Sequence, residues 1–431
     1  MPPVFWVQKQ DIGPSPRTNH GIAYLPSGQR VVVFGGDPGG PPLRDTWAWD
    51  GSLWTQVADT GPSARHGLSL SEGPVGGTQR LVLFGGASGA SFLADTWGFD
   101  GTDWTQVADT GPQARAGHAA APDATHQRLI LFGGTNGTPL RDTWMWNGID
   151  WTQVDDGGPS ARSGHSMALD EGRGKVILFG GAGANGTGLD DTWAWDGTAW
   201  TQIADTGPDP RLEATMAGSG SLLLFGGVNS VDPALAPAGR IVYGDTWQLT
   251  AQGWSKVQDI GPAARWGHGS AVAKVGAAPG RVVLFGGGTA FAPAEDAALA
   301  AGLLRDTWEV PDVAVAGGTP SLSAGLQITG VSVQPNEIPL LGNSVQINVT
   351  VFTNFAPPAG TSPSISIFRG PAPNWTALSH GFTIPLVAFN GTSIVTSFTL
   401  TRDGSFMGMG QYGVGVSIGS GPRLVGAFFM S

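Results

Sequence analysis

The stretch Trp54-Thr-Gln-Val-Ala-Asp59-Thr-Gly61-Pro62-Ser-Ala-Arg65 recurs in outline along the chain, and its recurrence decides the fold. The pattern W-x4-D-x-G-P-x2-R opens at Trp6, Trp54, Trp104, Trp151, Trp200 and Trp254. It closes eleven residues later each time, at Arg17, Arg65, Arg115, Arg162, Arg211 and Arg265. Starts lie 47 to 54 residues apart, the period of a blade-type repeat. Six copies without a gap between the two anchors describe a rigid structural unit.

Two further elements keep their places in every copy. An apolar run ends in Phe-Gly-Gly at Phe34, Phe84, Phe132, Phe179, Phe225 and Phe285. These runs (VVVF, LVLF, LILF, VILF, LLLF, VVLF) are continuously apolar, as a strand covered on both faces must be. Asp-Thr-Trp follows, with tryptophans at 47, 97, 144, 193, 247 and 308. In five copies the tryptophan that opens the next W-x4-D-x-G-P-x2-R stretch stands seven residues later. Asp50-Gly51, Asp100-Gly101, Asn147-Gly148 and Asp196-Gly197 stand between the two tryptophans and predict hairpins with type I′ turns. Each copy therefore reads as four antiparallel strands. The first follows R-x-G-H, the second ends at Phe-Gly-Gly, the third carries Asp-Thr-Trp and the fourth is W-T-Q-V.

Four-stranded units at this period, with Phe-Gly-Gly and two spaced tryptophans, resemble kelch repeats over residues 5–312. The resemblance implies an all-β, six-bladed β-propeller. The sixth copy has Val315 where a second tryptophan is due, whereas Trp6 opens a fourth-strand segment with no strands before it. The N-terminal strand is thus expected to complete the last blade, hiding a sheet edge.

The charge is unevenly spread. Residues 313–431 hold three arginines against Glu337 and Asp403, a net of +1, so the first 312 residues carry −12 of a total of −11. This sets a boundary near 312, a linker of small residues at 313–325 and a second domain at 326–431. Strands are expected there at 326–334, 344–353, 364–369, 381–388, 393–401, 411–418 and 423–430. Seven short strands in this length resemble an immunoglobulin-like β-sandwich. So few charges suit a surface that docks into a larger or homo-oligomeric assembly.

Composition narrows the function. The chain has 431 residues, 41% apolar, enough for a large core. No apolar run is long enough to span a membrane, and no secretory signal is visible at Met1-Pro-Pro-Val-Phe-Trp6, pointing to a cytoplasmic or particle-borne protein. Cysteine is absent, which excludes disulfides, thiolate metal sites and cysteine nucleophiles. A net charge of −11 argues against nucleic acid. The order of a kelch propeller before an immunoglobulin-like domain is similar to galactose oxidase. That family needs a cysteine cross-linked to tyrosine, and only Tyr24, Tyr243 and Tyr412 are present, so copper-radical chemistry is rejected and no cofactor is expected.

Repeated polar residues are read as structural. His20, His118, His165 and His268 recur at one position, replaced by Leu68 and Ala214 in the other copies, and are expected to bond or stack within their own blades rather than ring a metal. Each arginine is expected to pair with the aspartate six residues before it (Asp11, Asp59, Asp109, Asp156, Asp205, Asp259). The Asp-Thr of Asp-Thr-Trp is expected to stabilise a turn. Asn136-Gly-Thr, Asn185-Gly-Thr, Asn348-Val-Thr, Asn374-Trp-Thr and Asn390-Gly-Thr match glycosylation sequons and read as turns and strands. No Ser-His-Asp order or phosphate loop stands out.

Function is sought where the repeat breaks. The connections Val228–Gly244 and Gly288–Arg305 are long, and both belong to one face of blades five and six. There the R-x-G-H motif becomes Arg211-Leu-Glu213-Ala and Arg265-Trp266-Gly-His268. Long loops on a rigid scaffold are the usual place for binding. The candidate binding residues are Glu213, Asp232, Arg240, Tyr243, Trp266, His268, Phe291, Glu295, Asp296 and Arg305. The expectation is a non-catalytic protein whose propeller face meets a protein or glycan while the second domain docks into an assembly such as a virion, tail appendage or injection apparatus. The alternatives are a carbohydrate-active propeller enzyme similar to sialic-acid mutarotases, or a cytoplasmic interaction scaffold. A cluster of Arg, Glu and His at the axial mouth would favour the enzyme.

Overall fold

The computed structural model describes residues 6–10, 12–155, 157–218, 220–230, 240–258, 261–274, 280–289 and 302–310, and strands within 328–430. The chain divides into two compact units, Met1–Ala316 and Gly317–Ser431.

The first unit is a six-bladed propeller, each blade a four-stranded antiparallel sheet. Blade 1 is Gly21–Leu25, Arg30–Gly36, Leu43–Trp49 and Trp54–Ala58. Blades 2 to 5 span 69–108, 119–155, 166–204 and 215–258 on the same plan. Blade 6 takes Gly269–Ala273, Arg281–Phe285 and Thr307–Val310 from the end of the unit and its outer strand, Val7–Gln10, from the beginning. Val7 pairs with Glu309 and Gln8 with Trp308, so the ring closes by strand exchange as the sequence implies. Glu309, buried on the third strand of blade 6, secures this seam. Its carboxylate accepts from the Trp49 indole of blade 1 at 3.1 Å and lies 3.2 Å from Lys9 Nζ on the first strand.

The apolar runs are buried on both faces because blades pack face to face. In blade 1, Val32 and Phe34 join Leu81, Leu83 and Phe99 of blade 2, while Val31 and Val33 join Val283 and Phe285 of blade 6. Such a cluster fills each of the interfaces between blades, so the core is distributed around the ring. The second tryptophans wedge these interfaces, and each indole also donates across to the Asp-Thr-Trp threonine of the preceding blade. Trp104 reaches Thr46, Trp151 reaches Thr96, and Trp6 reaches Thr246, all at 2.9–3.0 Å. The glycine of Gly-Pro makes room for the same ring: a Cβ on Gly61 would stand 2.6 Å from Trp104.

The Asp-Gly turns differ from expectation. Only the glycine has positive φ (98° at Gly51), because Asp50 spends its carboxylate on the backbone N–H groups of Ser52 and Leu53. An Asx-type turn replaces type I′.

The second unit holds two sheets. One orders Ile328–Gln334, Ser344–Thr353, Ser393–Thr401 and Ala388–Asn390, all antiparallel. The other orders Glu337–Ile338, Leu424–Met430, Gly410–Ser417, Ser364–Arg369 and Thr376–Ala377, with its first pair parallel. Of the strand expected at 381–388, only Ala388 belongs to a described strand.

Candidate functional site

The repeated arginines are not available to a ligand. Each guanidinium is fully buried and forms a fork with the aspartate of the Asp-Thr-Trp in its own blade: Arg17 with Asp45, Arg65 with Asp95, Arg115 with Asp142, Arg162 with Asp191, Arg211 with Asp245 and Arg265 with Asp306. The Nη1–Oδ1 distances are 2.5–2.7 Å. Nη1 also donates to the first Phe-Gly-Gly glycine carbonyl, as Arg115 does to Gly133 at 2.9 Å. The Asp-Thr-Trp indole donates to the same carboxylate, as Trp144 does to Asp142 at 2.6 Å. Burial alone would raise these aspartates, but hydrogen bonds and charge from the arginine hold them below the usual carboxylate range.

This corrects the expected pairing. Asp59, Asp109 and Asp205 lie exposed at the surface, while Asp11, Asp156 and Asp259 fall outside the described residues. The Gly-Pro turn carries the arginine inward and leaves the preceding aspartate outside. A buried guanidinium needs a carboxylate presented in a planar fork, and the third strand supplies it.

The histidines are likewise buried, but between blades rather than within them. His20, His118, His165 and His268 stand edge-on to Phe285, Phe84, Phe132 and Phe225 of the preceding blade, with centroids 5.3–5.5 Å apart. Burial, reinforced by the neighbouring arginine, lowers His20, His118 and His165 to about 3. They are neutral wedges. His268 is therefore part of an interface and not of the binding face. Among the described residues no three His, Asp or Glu side chains gather as metal ligands.

Next to each arginine the chain closes the propeller axis. Asn19, Gly67, Gly117, Gly164, Glu213 and Gly267 each donate a backbone N–H to the carbonyl of the equivalent residue in the preceding blade. The result is a closed ring of six peptide hydrogen bonds, 2.7–3.0 Å long. All six residues have φ between 52° and 66°, which explains glycine in four copies. Asn19 and Glu213 adopt it with side chains. Burial raises the Glu213 carboxyl to about 7. Among the described residues the ring itself is built of four glycines, one amide and one carboxyl.

Outside the ring, blades 5 and 6 differ from the others. The residue after the arginine is Thr18, His66, Ala116 and Ser163 in blades 1 to 4 but Leu212 and Trp266 in blades 5 and 6. Leu212 and Trp266 pack with Ala182, Val228 and Val242 into a separate apolar cluster. Ile241 beside it is 47% exposed. Tyr243 occupies a position that is leucine in the other blades (Leu43, Leu93, Leu140, Leu189, Leu304), and the Arg211 guanidinium lies over its ring, 3.8 Å from the centroid. Burial raises the Tyr243 phenol, and Arg211 opposes the shift. Arg305 is exposed and Arg240 half-buried. Glu213, Trp266, Tyr243, Arg240 and Arg305 thus belong to connections at one end of blades 5 and 6, whereas Asp232, Phe291, Glu295 and Asp296 lie outside the described residues. Leu212, Val228 and Val242 were not singled out from sequence, because isolated apolar residues in connections carry no periodic signal.

Comparison with known proteins agrees with this architecture. No curated protein matches the chain. Among solved structures, one described as "Structure of YjhT" superposes with a TM-score of 0.51 at 15% identity, covering 68% of this chain and 95% of that one; the likeness is one of fold. The family described as KLHDC2/KLHL20/DRC7 Kelch-repeats domain matches residues 6–154 and 102–288. With the matched residues spanning most of the ring of blades, the chain belongs to the kelch-repeat family.

Proposed function

We propose that the protein is a non-catalytic binding protein that engages a protein partner through the connections of blades 5 and 6. The observation that carries this reading is the concentration of repeat departures there: Leu212, Glu213, Val228, Tyr243 and Trp266 replace small or polar residues, or leucine, of the other blades. An apolar cluster with an exposed isoleucine and two aromatic side chains, Tyr243 and Trp266, suits the centre of a protein interface, where aromatics concentrate. Kelch propellers generally bind proteins, which supports the same reading. The second unit we take as an immunoglobulin-like domain that docks the molecule into an assembly.

The test is affinity capture from the source extract by the full chain and by Ile241→Asp/Trp266→Ala, beside a control altered at the positions of blades 2 and 3 equivalent to Trp266 (His66→Ala/Ala116→Ser). A partner lost from the first variant and kept by the control supports the reading. Equal retention by both, or binding only to a glycan array, refutes it. Light scattering of the full chain beside residues 1–316 tests docking: a defined oligomer that becomes a monomer on truncation is the expected result.

A further inference from the structure

The end of the axis away from the peptide ring is built differently. The inner strands of all six blades enclose an axial chamber of about 390 Å³. Ile22, Leu70, Met167, Met216 and Val272 stand in its wall among alanines, interrupted by Ser71 and Ser270. The ring of peptides stands where these strands begin, so the chamber opens where they end. There Tyr24 of blade 1, Glu72 of blade 2, Glu171 of blade 4 and Lys274 of blade 6 converge.

These groups come from four blades and form one electrostatic cluster. Lys274 Nζ pairs with Glu171 across the opening, both side chains being roughly half exposed (48% and 40%). The Tyr24 hydroxyl donates to the Lys274 carbonyl. Glu72 is half-buried, and among the described residues no hydrogen bond reaches its carboxylate. Burial raises it, Lys274 lowers it and Glu171 raises it, so all three feel one another. The neighbouring Asp123 is already matched by Arg128, 3.0 Å away, and by His126. Two carboxylates thus face one ammonium at the entrance of the chamber, and the carboxylate left over is the more buried one.

A chamber of this size, with apolar stretches of wall and a few convergent polar groups, is the usual form of a small-molecule site. The excess charge fixes the sign of the ligand. We propose that the axial chamber binds a small organic cation, a primary amine with an apolar body, whose ammonium pairs with Glu72 while its carbon chain enters the space between Leu70, Met167 and Met216. This site is separate from the blade 5–6 connections, and either can exist without the other.

The probe is n-hexylammonium chloride, titrated calorimetrically into the full chain, with sodium hexanoate as the isosteric anion. The expected result is one hexylammonium per chain, no heat from hexanoate, and at least about tenfold weaker binding to Glu72→Gln, since a charge-assisted hydrogen bond is lost. Lys274→Met, at an exposed position, removes the competing ammonium and should tighten binding severalfold, so the proposal stays testable if Glu72→Gln is poorly folded. Absence of binding, equal binding of hexanoate, or affinities unchanged in Lys274→Met and in a folded Glu72→Gln would overturn it.

Discussion

Blades 3 and 5 enter the propeller through the same four positions and use them differently. Blade 3 reads Arg115-Ala116-Gly117-His118; blade 5 reads Arg211-Leu212-Glu213-Ala214. The arginine and its aspartate are common to both, so the frame tolerates no exchange there. The other three positions vary: blade 5 places an apolar side chain and a carboxyl in the connection and a buried alanine in the interface between blades, where blade 3 has alanine, glycine and histidine. The lesson is that in a repeat protein constancy reports on folding, and the isolated departure is the better guide to function.

The comparison breaks most severely if the common part is removed. Asp142→Ala in blade 3 and Asp245→Ala in blade 5 each leave a buried guanidinium without its carboxylate, and each should cost about 3–5 kcal/mol. Urea unfolding of the two variants is expected to give similar losses. A clearly smaller loss in blade 5 would mean that Tyr243 compensates for the missing charge.

The histidine comes next. His118 stays neutral in the fold until about pH 3, whereas an unfolded chain takes up that proton near 6.5. Its stabilising contribution is therefore complete above pH 6.5 and falls as pH drops toward 3, by about 1.4 kcal/mol per pH unit. Blade 2 manages with Leu68 at this position, so His118→Leu is a natural substitution. Unfolding midpoints measured at pH 7.5 and 5 should converge in that variant relative to the parent. An unchanged acid slope would show that the ring is solvated.

The smallest effect sharpens the comparison at the ring. Glu213 holds a φ of 56° and a buried carboxyl raised to about 7. A folded value above the unfolded one means that its contribution is present below about pH 4.5 and lost as pH rises through 7. Glu213→Gly restores the residue of blade 3, and should stabilise the propeller by about 1–3 kcal/mol at pH 8 and less at pH 5. A destabilised variant at pH 8 would mean that the carboxylate has a structural partner. A stabilised variant that loses the captured protein would place Glu213 in the interface.

The blades were legible because strand, turn and wedge signals are local and recur six times. The seam was legible from a fourth strand missing at one end and spare at the other. The partner of each arginine was not, since Asp59 and Asp95 both recur with Arg65 and only the path of the Gly-Pro turn selects the distant one. Glu213, Tyr243 and Trp266 were visible as departures from a pattern. Glu72, Glu171 and Lys274 were not, because each is an isolated charge at a position where the other copies differ, and only closure of the ring brings them together.

That closure has a consequence for how the protein is made. The strand Val7–Gln10 leaves the ribosome about 300 residues before its partner Thr307–Val310. Trp6 must wait for Thr246 and Trp54 for Thr307 before their indoles find the hydroxyls they bond in the closed ring. Closing so long a loop is entropically costly and slow, and favours a late, concerted final step. During that interval the strand Val7–Gln10 is unpaired and can add to a sheet edge of another molecule, which makes the time spent in synthesis the period of greatest exposure to misassembly.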